Sequence, residues 1–333
     1  MDKIGMISGA RGMDSSFLAD LLISKGYKVV AFARRVTTPD NSNIQHLFDN
    51  PNYILESGDI TDSASVNCLL KKYQPDEFYN CASQSHVHES WNQPVATCEA
   101  NFMGVLYCLE GIRTISPKTR FLQCSTSETM GKTAEKIQTL DSPLNPQSPY
   151  AASKAGAEHL IGVYRNSYNL FCCFARSYNH TGVRRGHNFV ERKITRYVAD
   201  LFVNGYSDKL HLGNLDSRRD FTSSQDIVRG FWMMLNQSEP DNFLFASGKT
   251  YSISDILDIA FGIIREDWHK HVLIDPKFVR PAEVSCLCGN YSKAKDLLGW
   301  EPSVTFEELI NDMVKNDIEK LNKNAFKEIA DTY

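Results

Sequence analysis

The chain has 333 residues, of which 42% are hydrophobic and 23% charged, and a formal net charge of −4. These values suit a globular protein with one large α/β domain or two domains sharing a cleft. They exclude the basic excess of a nucleic-acid binder. The absence of a long apolar stretch or leader pattern predicts a cytoplasmic protein without a membrane partner.

Taken in chain order, residues 3–8 read as a strand and 17–25 as an amphipathic helix ended by Gly26. Further strands are predicted at 27–33, 53–57, 77–82, 121–124 and 171–176, with helices at 64–73, 95–114 and 150–168 between them. Strand and helix in regular succession argue for an α/β fold, a doubly wound parallel Rossmann sheet. After Ser177 helices dominate, at 189–204, 226–235, 254–264 and 306–322, with a short strand at 243–246. That half reads as a smaller, mostly helical substrate-binding lobe over the carboxyl edge of the sheet, where such folds bind ligands. The expected division is 1–177 for the nucleotide-binding domain and 178–333 mainly for the lobe, with about 214–250 returning to the first domain. Nine cysteines, scattered through predicted strands and helices, suit reduced thiols better than a disulfide framework. Cys286 and Cys288 lack metal-ligand spacing, and no metal is expected.

The segment after the first strand runs Gly9, Ala10, Arg11, Gly12, Met13, Asp14, Ser15. Glycines at a strand-to-helix turn let backbone approach a pyrophosphate, which helix amides then meet. Here Ser15 stands where a third glycine is usual. Arg34 and Arg35 follow the second strand, roughly 20 residues on, where dinucleotide folds recognise the adenosine ribose. Arginines there favour the 2′-phosphate of NADP, or else form a solvated surface pair or a subunit contact. Asp59 and Ile60 are placed to bracket an adenine, and Cys81 and Ala82 to end the fourth strand beneath the cofactor.

Tyr150 and Lys154 lie four apart on a predicted helix and share one face. A lysine ammonium beside a nicotinamide lowers the phenol's pKa and lets it act as a base. Thr126 and Glu128 follow a strand 24 and 22 residues upstream. With the glycine pair, this set resembles an extended short-chain dehydrogenase/reductase over nearly the whole chain.

Several segments are more specific: 84–87, 125–128, Asn179 with His180, 184–194, 212–220 and 280–283. They resemble the GDP-mannose 4,6-dehydratases. The resemblance implies a redox-neutral cycle on a GDP-sugar. Tyr150 takes the carbon 4 hydroxyl proton, Thr126 hydrogen-bonds that oxygen, and Glu128 removes the carbon 5 proton before water leaves carbon 6. It also implies that Gln84, Ser85, His180 and Arg185 touch the cofactor, and that Ser85, Asn179 and Val190 contact the substrate. Lys193, Arg219 and Arg280 would meet the diphosphate, and Glu283 the guanine. Any of these arginines could instead pair with local acids such as Asp216 and Asp220. A reductase or epimerase of the same fold, a dehydratase of another GDP-sugar such as a GDP-heptose, and a non-catalytic sugar-nucleotide-binding protein remain open. The resemblance further implies a homo-oligomer, dimer or tetramer. Residues 35–46 would then reach a neighbour's cofactor, although this polar, turn-rich segment could equally be a free loop.

Overall fold

A computed structural model describes residues 2–132, 135–205, 208–278 and 286–330. Seven strands form one sheet: β1 (Ile4–Ser8), β2 (Lys28–Ala33), β3 (Tyr53–Ser57), β4 (Glu77–Asn80), β5 (Arg120–Thr126), β6 (Cys172–Ser177) and, later in the chain, Phe243–Phe245. That last strand lies beside β6, and the order continues through β5, β4, β1 and β2 to β3, every pairing parallel. The order reverses direction beside β1, so the crevice at the carboxyl ends of β1 and β4 is where a doubly wound sheet takes a ligand.

Helices α1 (Met13–Ser24), α2 (Ser63–Tyr73), α3 (Glu89–Asn92), α4 (Pro94–Cys98), α5 (Gly104–Ile115) and α6 (Pro149–Tyr168) belong to this half. Parallel strands with helices on both faces must be apolar on both, and two separate cores result. One holds Phe17, Leu18 and Leu22 of α1 with Val29 and Ala31; the other holds Met6, Val30, Phe78 and Phe121 with Val105 and Leu109 of α5. Capping explains where α6 begins. The Ser148 hydroxyl accepts from Ala151 N–H at 3.1 Å and Pro149 takes the first turn, which needs no N–H there.

Beyond β6 lie β7 (Asn179–Thr181), α7 (Val190–Asn204), β8 (Leu210–Leu212), β9 (Arg218–Ser223), α8 (Ser224–Leu235), β10 (the Phe243–Phe245 strand), β11 (Thr250–Ser252), α9 (Ile253–Ile264), β12 (Val272–Ile274), β13 (Cys286–Leu287), α10 (Ser292–Leu298) and α11 (Phe306–Ala330). Ile194, Ile256, Phe261, Ile310 and Met313 bring α7, α9 and α11 together in a third core. Ile227, Phe231 and Met234 of α8 instead pack with α1 against the large sheet. β9 carries β7, β11 and β13, while β8 pairs with β12.

Two elements differ from the pattern in the sequence. The first helix starts at Met13, so the glycine loop runs directly into it. The helix expected over 95–114 contains a π turn, Glu99–Met103, between α4 and α5. Such turns push a residue out of helical register and often sit at functional sites.

Candidate active site

Gly9 adopts φ +71°, and a Cβ there would lie 3.0 Å from the Ala82 Cα. Only glycine lets the end of β1 pass so close to the end of β4. Gly12 caps α1 without a side-chain bond, which leaves first-turn amides for an anion. Ser15 resolves the missing third glycine. Its hydroxyl donates to the Ser8 carbonyl at 3.0 Å, so the serine ties helix to strand while remaining small enough to pack there.

Asp14, in the first turn, joins three segments. It accepts from the Ser224 hydroxyl at 2.5 Å and faces His180 Nε2 at 2.9 Å. His180 Nδ1 lies 2.8 Å from the Tyr178 carbonyl, which can only accept, so the doubly protonated ring is the form that satisfies both contacts. Burial works against the His180 charge, but the Asp14 carboxylate outweighs it and the imidazole pKa rises. Burial likewise opposes the Asp14 charge, and His180 with Ser224 holds the carboxyl below its usual range.

Arg34 and Arg35 are exposed at the end of β2. Residues 36–40 are exposed, and 41–46 fold against their own chain. Arg11 Nε donates to Asn41 Oδ1 at 2.8 Å, and Asn43 Nδ2 lies 3.1 Å from the Arg11 carbonyl and 3.2 Å from that of Arg184. Arg184 and His46 both reach Asp20, at 2.7 Å. Asp59 accepts from the Thr61 amide and hydroxyl, and the Ile60 side chain is buried beneath Gly104. Cys81 and Cys124 face each other with sulfurs 3.4 Å apart.

Thr126, Glu128, Tyr150 and Lys154 converge at the carboxyl end of β5. Thr126 caps a single 3₁₀ turn, Ser127–Thr129, by accepting from the Glu128 N–H at 3.3 Å. The same hydroxyl lies close enough to the Tyr150 phenol to favour its ionised form. Lys154 Nζ donates to the Cys124 carbonyl at 2.9 Å. Burial pushes the Tyr150 phenol up to about 12; Thr126 and Arg185 act downward and Glu128 upward. In the protein alone, a phenolate sealed from water costs more than these neighbours return. Burial also pulls the Lys154 ammonium below its ordinary value.

In the lobe, Asn179 and Val190 are half-buried at the starts of β7 and α7. Arg185 donates to Glu191 at 2.8 Å and lies over the Phe189 ring, 3.4 Å from its centroid. Lys193 Nζ sits 4.9 Å from the Phe278 ring centroid. Arg219 is buried and donates to the Arg218 carbonyl at 3.0 Å. Arg218 pairs with Asp255 at 3.3 Å, whereas Asp220 accepts from Ser247, Gly248 and Gly289 and braces the loops around β9. Ser85 is exposed, and the Gln84 side chain folds onto the backbone of His86. Arg280 and Glu283 lie outside the described residues.

The family model described as GDP-mannose 4,6 dehydratase matches residues 6–313. The chain belongs to this family. Its curated relatives include the GDP-mannose 4,6 dehydratase of Drosophila melanogaster, 39% identical over 97% of this chain and 88% of the relative. The GDP-mannose 4,6-dehydratase of Yersinia enterocolitica is 38% identical, covering 97% of this chain and 96% of the relative. Among solved structures, the UDP-glucose 4-epimerase of Thermotoga maritima superposes with a TM-score of 0.85 at 22% identity, covering 96% and 99% of the two chains. The dTDP-glucose 4,6-dehydratase of Bacillus anthracis gives 0.82 at 20%, covering 94% and 96%. These two share the fold.

Asn101 escaped the sequence reading. It sits in the π turn, where its side chain accepts from Gln84 N–H at 2.9 Å and donates to the Gln84 carbonyl at 3.0 Å, fixing the loop after β4. A lone asparagine inside an apolar helical pattern carried no signal. Ser224 and Glu158 were missed for the same reason, since their partners are distant in sequence.

Proposed function

We propose that this family member dehydrates GDP-mannose to GDP-4-keto-6-deoxymannose in a redox-neutral cycle, with NADP retained. The observation that carries the reading is the placement of a carboxylate, Glu128, on the turn that also brings Thr126 to the Tyr150 phenol. A reductase or epimerase needs the tyrosine but no such carboxylate.

The residues around the glycine loop fit the cofactor. Gly9 allows close backbone approach, the first turn of α1 offers amides, and Arg11, Arg34 and Arg35 supply positive charge toward a 2′-phosphate. Met13, Asp59, Ile60, Cys81, Ala82, Gln84 and Ser85 border the same crevice in this reading, and Asp14 with His180 and Arg185 closes it. When bound, NADP supplies the hydride acceptor and the later donor, and its positive ring adds charge that the protein alone does not offer Tyr150. Tyr150 takes the proton from the carbon 4 hydroxyl, and Thr126 holds that oxygen in place. Lys154, seated on the Cys124 carbonyl, favours the tyrosinate once the cofactor is bound. Glu128 then removes the carbon 5 proton, made acidic by the neighbouring ketone, and in its protonated form assists loss of the carbon 6 hydroxyl. Lys193, Arg219 and Arg280 receive the diphosphate, Glu283 the guanine, and Ser85, Asn179 and Val190 the nucleotide sugar. A cytoplasmic homo-oligomer completes the reading.

Mass spectrometry of protein incubated with GDP-mannose and catalytic NADP tests it. A product lighter by one water without net NADPH is expected. Unchanged substrate, with Glu128→Gln behaving identically, would sink the assignment, and a panel of other nucleotide sugars would then choose among the rivals.

A further inference from the structure

Tyr150, Lys154 and Glu158 recur every four residues on α6 and so line one face of it. Glu158 is buried, and its carboxylate is filled by three donors from two strands. Arg176 on β6 gives Nε at 3.1 Å and Nη2 at 2.5 Å, and the Ser125 hydroxyl on β5 donates at 2.5 Å. Ser125 and Arg176 are register partners across β5 and β6, so they stand side by side beneath the helix. Arg176 is itself held by the Leu140 carbonyl at 3.1 Å. The Thr129 hydroxyl donates to the Thr126 carbonyl at 2.9 Å and lies 3.5 Å from the Glu158 oxygen that Ser125 occupies.

The two residues gathered at this carboxylate, Ser125 and Thr129, immediately bracket Thr126, Ser127 and Glu128. We infer that Glu158, oriented by Arg176, is a positioning residue that locks the Thr126–Glu128 turn to the helix bearing Tyr150 and Lys154. The proton acceptor for carbon 4 and the carboxylate for carbon 5 then hold one fixed separation. The inference rests on the dehydratase reading for its chemical consequence but not for its geometry. A buried ion pair adds little net stability compared with apolar residues of the same volume, so fixing geometry is the function left to it.

Ser125→Ala cuts the link to the turn and leaves the Glu158–Arg176 pair intact, whereas Glu158→Gln risks stranding the arginine. Two measurements are made on each variant and on Arg176→Lys. In hydrogen exchange, Ser125→Ala should accelerate the amides of residues 127–130 while those of 155–168 stay protected. In turnover, kcat should fall about 10- to 100-fold with KM nearly unchanged, as for a catalytic group displaced by about 1 Å. Reduced cofactor should also build up, because the carbon 5 step slows more than the first hydride transfer. Ser125→Thr should restore much of the loss by returning a hydroxyl.

Unchanged exchange at 127–130 in Ser125→Ala, or loss of kcat without build-up of reduced cofactor, would overturn the inference. Wild-type protein inert toward GDP-mannose would overturn the dehydratase reading instead, and the exchange experiment would still decide whether the clamp exists.

Discussion

Two buried carboxylates sit at opposite edges of the same sheet. Glu77 opens β4 at the amino edge and accepts from Lys3 at 3.1 Å, the Tyr27 hydroxyl at 3.0 Å, the Tyr79 hydroxyl at 2.6 Å and Asn236 at 3.2 Å. Glu158 lies toward the carboxyl edge with Arg176 and Ser125. The first gathers mainly neutral donors from structural elements, and its one cation, Lys3, is half-exposed. The second faces a fully buried guanidinium and adjoins the proposed catalytic turn. The same side chain thus joins elements at one edge and sets distances at the other, and the difference lies in what its partners are attached to.

That contrast can be broken from either side. The largest effect is expected for Glu128→Gln, which should lower kcat about 100- to 10,000-fold with thermal stability unchanged, because the group is half-buried and its loss strands no partner among the described residues. Steady-state kinetics beside a thermal melt check it. Next comes Glu77→Ala at the other edge. Buried tyrosine hydroxyls lose their acceptor, at a cost of about 1–3 kcal/mol in stability, with kcat per folded molecule preserved. Denaturant titration reads this, and a comparable loss of kcat would erase the division between the edges. Arg34→Ser combined with Arg35→Ser should weaken NADP about 10- to 100-fold and leave NAD unaffected, measured by titration of each cofactor.

The smallest effect concerns pH. The folded His180 pKa is raised, so its contribution is fully present below the unfolded value of 6.5 and is lost as pH rises through the folded value. Asp14 is depressed, so its contribution holds above 3.8 and fades on acidification. Melting temperatures of wild type and His180→Gln should therefore differ most between those limits and converge at higher pH. A constant gap across that range would show that the ring acts by packing alone.

Much of the large sheet was legible because strands such as 28–33 are nearly continuous apolar runs between turn signals. The short strands around β9 were not, because three-residue pieces such as 179–181 carry no period and owe their existence to distant partners. Thr126, Glu128, Tyr150 and Lys154 were readable as a motif, and the structure brings them together. The direction of the Tyr150 shift depends on how completely packing seals the phenol, which spacing does not encode. In the segment at 35–46, polar, turn-rich composition describes the exposed part, whereas Asn41 and Asn43 find the Arg11 guanidinium and the carbonyls of Arg11 and Arg184.

Asn43 has one further consequence. Its amide donates toward the carbonyls of Arg11, beside the glycine loop, and of Arg184, at the entrance to the lobe. Both segments are held by contacts within the chain itself, so part of their conformational entropy is lost on folding. A ligand spanning the crevice need not freeze them again, and that saving appears as affinity without any added contact.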